Sequence, residues 1–286
     1  MIYIIKKLVS EALLSLYPIF VKKTPINLDI QLLTRLLGYS LIPLFFVSFK
    51  FIKDNMLTKN VILLAIITIF HIFFSYNGFK LLDTGVSYAI FYTYPLMIIA
   101  WATKKFSPYY LVAILGIILL SIDFEDSIKL DKNKSKGILY VLLAAVTEVI
   151  IFFMVHHFKI DNSWNTVFIS YFPALVLFSC YLLLRQFMNK EQFSIEQEQD
   201  KSNEKYKNKY LIGGALLFNV FVGAIGYYFR FGTASKLPTV LNGVLSFFGI
   251  ITSYIYGIIF DGESVNLQEI VGIALIIFSN IKLITA

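Results

Sequence analysis

Charged residues are scarce in this sequence: Asp, Glu, Lys and Arg make up only 15% of its 286 residues. Soluble chains carry about 25% charged residues, whereas 58% of the residues here are hydrophobic. The charges also cluster, which leaves apolar runs close to the roughly 20 residues that a helix needs to cross a bilayer. The composition therefore excludes an ordinary soluble domain and predicts an all-α integral membrane protein.

Other absences exclude further classes of protein. Cys180 is the only cysteine and lies in an apolar run, so the chain offers neither an internal disulfide nor a cysteine metal cluster. The absence of a GxxxxGK[ST] loop leaves ATP-driven pumping by this chain unsupported. No local segment holds a Ser/His/Asp set or paired carboxylates, so we expect no enzyme activity, no cofactor and no metal. No small-residue cleavage site follows Lys6 and Lys7, so we expect no cleavable signal.

Positive charge, in contrast, is in excess. A net charge of +7 would indicate a nucleic-acid partner in a soluble domain. Here the lysines fall between the apolar runs, where they suit anionic lipid headgroups and help to set topology. We therefore expect membrane lipids as partners and no nucleic acid.

The charged clusters divide the chain into ten predicted spans. Their approximate ranges are 3–21, 29–49, 60–79, 84–103, 108–122, 137–158, 166–187, 210–230, 237–260 and 267–284. An even number of spans puts both termini on one side, and the short connections on that side are richer in Lys and Arg, which indicates the cytoplasm. We expect a multi-pass protein of the cell (inner) membrane with both termini cytoplasmic.

A repeated spacing indicates two halves. Glu11 and Glu148 are each followed, eleven residues later, by a lysine, Lys22 and Lys159. Four further spans follow in each half, and because five is odd the second half enters the membrane with the opposite orientation. Such inverted repeats are common among secondary transporters, whose substrate site lies between the repeats near the midplane. The predicted parts are a five-helix repeat over 1–124, a polar connector over 125–136, and a second five-helix repeat over 137–286 with a polar, disordered loop over 189–209.

Short patterns spread over nearly the whole chain occur in an order and spacing typical of one family. They are Val21-Lys22-Lys23, Arg35, Asp83 to Phe91 followed by Pro95, Asp261-Gly-Glu263, Leu267-Gln268 and Gly272. In these patterns the chain resembles the drug/metabolite transporter superfamily, and within it the ten-helix EamA-type transporters. The resemblance implies a transporter built from two inverted five-helix repeats.

Two stretches are also similar to the four-span small multidrug resistance proteins. One is Thr147 to Ile150 and the other is Thr84 to Phe91. In those proteins a membrane glutamate binds protons and cationic substrate alternately. The resemblance implies that role for Glu148 and Glu11, with Tyr88 and Phe91 as aromatic neighbours of the substrate.

The two acids also stand out on physical grounds. Glu148 lies eleven residues after Gly137 and ten before Phe158, so a rise of about 1.5 Å per residue places it near mid-membrane. An ionised carboxylate at that depth is costly, so it must face a cavity, meet a partner or take up a proton. A neutral carboxyl hydrogen-bonded between helices is the alternative. For Glu11 the alternative is an interfacial ion pair with Lys7, four residues upstream.

Arg35 lies about two turns into the second span, too deep for a simple end anchor. It suits an anionic substrate group, a carboxylate such as Glu11, or a contact that only stabilises the fold. Asn77 and Asn242 are uncharged polar groups in apolar runs and are candidates for lining a path. The predicted substrate- or proton-binding set is Glu148, Glu11, Tyr88, Phe91, Arg35, Asn77 and Asn242.

These residues predict a secondary active transporter that exports a small organic metabolite. They leave open whether the transport is coupled to protons. The two acids and the tyrosines favour a cationic or zwitterionic compound. One alternative is a carrier of anionic or amino-acid-like solutes, with Arg35 and Lys80 or Arg230 as its contacts. Others are a flippase for a lipid-linked substrate and a non-transporting sensor or assembly protein, whose intramembrane polar groups would be paired off with no cavity. A homodimer is also left open.

Overall fold

The computed structural model describes residues 1–104, 106–121, 132–158, 160, 162–189, 203–234 and 236–285. Within these ranges the chain is helical and contains no strand. Most of the predicted connector over 125–136, most of the predicted loop over 189–209, and Lys159 lie outside the described residues. The parts of those two segments that are described, 132–136, 189 and 203–209, are helical rather than irregular, because helices continue past their apolar stretches.

The helices follow one another with short connections. The α-helices are α1 (Ile2–Leu14), α2 (Tyr17–Lys23), α3 (Leu28–Leu44), α4 (Phe49–Asn55), α5 (Lys59–Leu81), α6 (Thr84–Phe91), α7 (Tyr94–Thr103), α8 (Tyr109–Ser121), α9 (Lys132–Phe158), α10 (Ser163–Asn189), α11 (Asn203–Phe218), α12 (Ile225–Ala234), α13 (Thr239–Ser246), α14 (Phe248–Tyr256) and α15 (Leu267–Thr285). Two π-helical segments, π1 (Asn219–Ala224) and π2 (Gly257–Asp261), continue α11 and α14.

Four helical stretches in the described ranges are long and apolar enough to cross a membrane. They are Lys59–Leu81, Lys132–Phe158, Ser163–Met188 and Lys209–Ala234. Shorter apolar helices accompany them, among them Tyr109–Leu120 and Phe248–Asp261. The architecture is that of a helical membrane protein, and the count of ten spans stays a prediction.

Two of the predicted spans are each divided into two helices at a proline. Pro18 lies in the first turn of α2 and Pro95 in the first turn of α7. Because proline has no N–H, the carbonyl four residues earlier loses its helical donor. For Pro18 that carbonyl belongs to Leu14, and its oxygen is left free to accept a hydrogen bond from a side chain.

Helices at corresponding positions of the two predicted halves pack on each other. Helix α3 packs on α10, α6 on α14, and α8 on α15. The first predicted span of each half also packs along the third span of the other half, as α1 on α12 and α9 on α5. These two crossed contacts bring α1, α5, α9 and α12 to the centre of the molecule.

Glycines allow the closest of these contacts. A Cβ atom on Gly116 of α8 would lie 2.7 Å from the carbonyl oxygen of Gly272 in α15, and one on Gly272 would lie 3.0 Å from the Gly116 oxygen. Gly85 of α6 lies directly against the ring of Tyr254 in α14, with no room for a side chain. Small residues of this kind let helix backbones approach within a membrane.

Candidate functional site

A chain of buried ion pairs lies where α1, α9 and α12 meet. Arg230 of α12 contacts both predicted acids: Nη2 is 3.2 Å from Oε2 of Glu11, and Nη1 is 3.3 Å from Oε1 of Glu148. The second oxygen of Glu11 is 2.6 Å from Nζ of Lys7. The structure therefore brings together the two glutamates that lie 137 positions apart in the sequence and joins them through one guanidinium.

The Lys7–Glu11 pair forms as its i,i+4 spacing predicts, and both side chains are buried inside the protein. Lys7 is only 2% exposed and Glu11 is 0% exposed. A charged pair can lie this deep because Arg230 gives Glu11 a second cationic partner. Two acids and two bases sum to zero charge, which is the condition under which buried ions are tolerated.

A tyrosine completes the shell around Glu11. The Tyr92 hydroxyl donates to Oε2 of Glu11 and accepts a hydrogen bond of 3.0 Å from Nη2 of Arg230. Gly249 of α14 leaves the space for this contact, since a Cβ atom there would lie 2.8 Å from the Tyr92 hydroxyl. Glu11 is therefore held by three side chains from α1, α12 and the turn after α6.

Glu148 is held more loosely, with a histidine as its second neighbour. Nε2 of His71 lies 3.5 Å from Oε2 of Glu148, while Nδ1 lies 3.1 Å from the carbonyl oxygen of Ala144. A carbonyl can only accept, so Nδ1 carries a proton and Nε2 of the neutral ring presents a lone pair. That lone pair faces a carboxylate oxygen that has no hydrogen-bond partner, Oε2 of Glu148.

Tyr88 and Phe91 lie beside this network. The Tyr88 hydroxyl donates to the carbonyl oxygen of Leu14, the group that Pro18 leaves without a helical donor. The ring centroids of Tyr88 and Phe91 are 6.1 Å apart, and Phe91 lies 5.9 Å from the ring of His71. Both predicted aromatic residues are thus adjacent to the buried charges, with the Tyr88 hydroxyl already engaged.

A small cavity opens between these groups. Its lining residues are Leu14, Tyr17, Arg35, His71, Ser75, Phe79, Tyr88, Phe91, Tyr227 and Arg230. Its volume is about 20 Å³, which is room for about one water molecule. The lining includes the two partners of Glu148 rather than either glutamate. An organic solute needs more space, so the helices around this cavity must separate before one can enter.

Arg35 lies on the other side of the cavity, in a cage of four tyrosines. Its Cζ atom is 4.6, 5.3, 5.4 and 6.0 Å from four ring centroids, which belong to Tyr17, Tyr39, Tyr76 and Tyr227. We call these four residues the tyrosine cage. Arg35 is 3% exposed, and its Nε atom has no hydrogen-bond partner. In the described part of the chain no Asp or Glu pairs with it, so the alternative in which Arg35 pairs with Glu11 is not formed in this structure.

The tyrosine cage lowers the cost of burying Arg35 without neutralising it. A cation over an aromatic face gains about 0.5–2 kcal/mol, while a buried ion costs several kcal/mol in lost hydration. The cage is itself fixed by hydrogen bonds, with Tyr39 donating to Tyr17 over 2.9 Å and Tyr17 donating to Oδ1 of Asn219 over 2.7 Å. Among the described residues of the site, Arg35 is therefore a buried cation without an acidic partner.

The two predicted asparagines lie away from this site. Nδ2 of Asn77 donates to the Phe73 carbonyl of its own helix over 2.8 Å, and Asn77 does not line the cavity. Asn242 lies on α13 and does not line the cavity either, although its buried Oδ1 has no partner. A polar residue in an apolar run can form its hydrogen bonds with the backbone of its own helix. The sequence alone does not distinguish such a residue from one that lines a path.

A second cluster of charges lies where the end of α2 meets the end of π2. Nζ of Lys22 is 2.6 Å from Oε1 of Glu263 and 3.3 Å from Oδ2 of Asp261. The backbone N–H of Thr84 also donates to Glu263 over 2.8 Å. Burial raises the pKa of Asp261, but the hydrogen bond and charge of Lys23, together with those of Lys22, leave that pKa below its usual value. The cluster ties the end of α2 to the start of α6 and to the end of π2.

The predicted set omits four members of the network, listed here: Lys7, His71, Tyr92 and Arg230. Lysine and arginine near the end of an apolar run are commonly surface anchors, which hides Lys7 and Arg230. The i,i+4 spacing to Glu11 already indicates Lys7 as an ion-pair partner, although not as a member of the site. No local pattern reveals Arg230, because its partner Glu11 lies 219 positions away.

Comparison with known proteins relates these residues to one family. The model of the EamA-like transporter family matches residues 135–285, a range that holds Glu148 and Arg230. No curated protein matches the chain. A solved structure, described only as the crystal structure of a protein, aligns with 99% of this chain and 98% of its own at a TM-score of 0.60. Its sequence identity is 14%, so the likeness shows a shared fold alone.

Proposed function

Because the chain belongs to the EamA-like transporter family, we propose that it is a secondary active transporter that exports a small organic solute and couples this movement to protons at Glu148. The observation that carries the proposal is the bridge that Arg230 forms between Glu11 and Glu148. A charged group held by acids on two helices can change partners when those helices move, and Arg230 contacts acids on two different helices at once.

The proposal includes the ten-helix, two-repeat layout. The exchange of contacts between the halves supports it, since α1 packs on α12 and α9 packs on α5. The network lies at these two crossed contacts, where a transporter of inverted repeats holds its substrate. Every group of the network comes from one chain, so the site does not require a homodimer.

We expect proton coupling because a proton bound by the Glu148–His71 pair would change the ion pairs of Arg230. With Glu148 neutral, Arg230 loses one of its two ionic partners and the buried network gains one positive charge. The contact between α9 and α12 is then weakened, while Glu11 keeps Lys7 at 2.6 Å. Loss of the proton restores the bridge, so the two states favour different arrangements of α9 against α12.

The proposal retains three predictions made from the sequence: the direction is export, the protein lies in the cell membrane, and both termini are cytoplasmic. They are supported by the Lys and Arg distribution and by the resemblance to exporters. The cluster of Lys22, Asp261 and Glu263 supports a closed state at one end, because it joins α2, α6 and π2. Opening at that end would require these ion pairs to separate.

The test is gradient-driven transport by reconstituted vesicles. Vesicles are loaded with an extract of small metabolites from the expressing cells, a pH gradient is imposed, and the compounds that leave are identified by mass spectrometry. We expect wild-type protein to release a defined subset of compounds and Glu148→Gln to lose gradient-driven release while remaining folded. Glu269→Gln makes the same chemical change at a buried acid of α15 outside the network and should release the same compounds as wild type.

The outcomes separate this proposal from a non-transporting membrane protein. No release by wild-type vesicles above protein-free vesicles would refute transport. Full gradient-driven release by Glu148→Gln would leave transport standing and remove Glu148 from the coupling step.

A further inference from the structure

An apolar groove between α7 and α9 has no part in the proposed coupling mechanism. Its lining residues are Met97, Trp101, Val146, Val149, Ile150, Phe153 and Met154. Its volume is about 450 Å³, whereas the volume of the central cavity is about 20 Å³. All seven lining side chains are apolar or aromatic, so the groove suits the apolar part of a ligand and offers no partner to a charged group.

Two helix faces form this groove. Pro95 lies in the first turn of α7 and separates that helix from α6. The two lining residues of α7 are four positions apart, and those of α9 follow the spacing i, i+3, i+4, i+7 and i+8, which places each set on one face of its helix. Trp101 and Phe153 meet across the groove, with ring centroids 6.1 Å apart, yet Trp101 remains 70% exposed.

The length of the groove matches one leaflet of a bilayer. Val146 and Met154 are eight positions apart in α9, which corresponds to about 12 Å at about 1.5 Å per residue. Half of a hydrocarbon core of about 30 Å is about 15 Å. Because α9 ends at Phe158, twelve positions after Val146, the groove runs from near mid-membrane towards the end of the helix. It therefore follows the path of an acyl chain in that leaflet.

A positive charge lies at the outer end of the groove. Lys104 follows Trp101 by three positions, about one helical turn. It caps the end of α7 in the left-handed conformation, with φ of 52°, and it is exposed. Tryptophan and lysine at the end of a membrane helix lie at the level of the lipid headgroups. An anionic headgroup can therefore contact Lys104 while its acyl chain lies in the groove.

We propose that the groove between α7 and α9 binds one acyl chain of an anionic phospholipid, with Lys104 as the contact of the headgroup phosphate. The bound chain packs between α7 and α9, the helix that carries Glu148. A helix of a second copy is the wrong size for this site. A stretch of helix as long as the groove and about 10 Å wide occupies roughly 900 Å³, twice the volume that the groove offers.

Tryptophan fluorescence tests the site without requiring transport, because the chain contains only two tryptophans. In Trp164→Phe, Trp101 is the one remaining reporter. The purified full-length variant in detergent is titrated with phosphatidylglycerol whose acyl chains carry bromine, which quenches tryptophan fluorescence on contact. We expect the quenching to saturate near one lipid per protein, while the lipid is still a minor component of the micelles. Unbrominated phosphatidylglycerol should reverse it by competition.

A matched reporter separates this site from ordinary lipid contact. Val176 of α10 is 44% exposed, against 43% for Val146 of the groove, but it does not line the groove. In Val176→Trp, with Trp101 and Trp164 both replaced by Phe, the single tryptophan lies on a lipid-facing surface outside the groove. Its quenching should rise only in proportion to the lipid content of the micelles.

Two pairs of variants in the Trp101 reporter assign the binding to the groove and to the lysine. Val146→Phe should weaken the apparent Kd by roughly tenfold or more, because its ring takes the space of the acyl chain, whereas Val176→Phe should not change it. Lys104→Gln should reduce the affinity for phosphatidylglycerol roughly fivefold, to that for phosphatidylcholine. Lys59→Gln, which removes an exposed lysine at the start of α5, should keep the preference for phosphatidylglycerol.

Several results would overturn the inference. They are quenching of Trp101 that only follows the lipid content of the micelles, an undiminished affinity in Val146→Phe, and equal affinities of the Trp101 reporter for phosphatidylglycerol and phosphatidylcholine. Quenching that disappears as the protein dimerises, followed by light scattering, would place a second copy in the groove and refute the lipid.

Discussion

Removing the Arg230 side chain should destabilise the protein because it leaves Glu148 without its cationic partner. In Arg230→Met, Glu11 keeps Lys7 at 2.6 Å, whereas Glu148 keeps only His71 at 3.5 Å. One buried carboxylate is then left without a fixed positive partner, a change that typically costs about 3–5 kcal/mol. At about 2–4 °C per kcal/mol for chains near this size, the thermal midpoint should fall by roughly 6–20 °C.

A second substitution should reverse most of this loss. Adding Glu148→Gln to Arg230→Met removes the unpaired carboxylate and leaves the Lys7–Glu11 pair neutral. We expect the double variant to melt well above Arg230→Met, with an interaction free energy of about 2–3 kcal/mol between the two positions. The measurement is a double-mutant cycle of thermal midpoints in purified, lipid-reconstituted protein.

The control is another arginine in a different setting. Arg185 pairs with Asp29 over 2.8 Å, but its side chain is 49% exposed, and surface pairs contribute about 0–1 kcal/mol. Arg185→Met should therefore change the midpoint by no more than a few degrees. The reasoning fails if Arg230→Met is no worse than Arg185→Met, or if the effects of the Arg230 and Glu148 substitutions simply add.

Three further predictions concern the remaining contacts. Glu11→Gln should lower folded yield more than Glu148→Gln does, because it leaves Lys7 buried without an ionic partner; size-exclusion recovery measures this, and equal recovery would contradict it. Gly85→Leu should disrupt the packing of α6 on α14, because its side chain would overlap the Tyr254 ring; a normal midpoint for that variant would refute the close contact. A cysteine placed at Asn203 should be labelled from the side of the membrane opposite the N-terminus. Labelling from the same side would contradict the predicted ten-span topology.

The helices of this fold are largely readable from the sequence, while their contacts are not. Apolar runs and charged boundaries predict where helices lie, because helix formation in a membrane depends on local composition. The division of the first predicted span into α1 and α2 also has a local signal in Pro18. The consequence of that break, a Leu14 carbonyl that accepts from Tyr88, depends on a helix far along the chain.

The candidate site is only partly predictable for the same reason. The depth of Glu148 follows from counting residues, and the Lys7–Glu11 pair follows from helical spacing. That the pair is buried depends on Arg230, which no local pattern connects to it. Of the alternatives for Arg35, a pair with Glu11 is not formed, because Arg230 and Lys7 already occupy both oxygens of that carboxylate.

The two glutamates have the same spacing to a following lysine, yet their partners and their burial differ. Each acid meets a basic side chain from the crossed helix of the other half: Glu11 meets Arg230, and Glu148 meets His71. Arginine keeps its charge at all accessible pH values, whereas the neutral His71 ring leaves Arg230 as the one ionic partner of Glu148. Glu11 is 0% exposed with three fixed partners, while Glu148 is 8% exposed and has one fixed ionic partner. The same spacing therefore places one acid among three fixed partners and the other beside a single fixed ionic partner, which is why the coupling step is proposed at Glu148 rather than at Glu11.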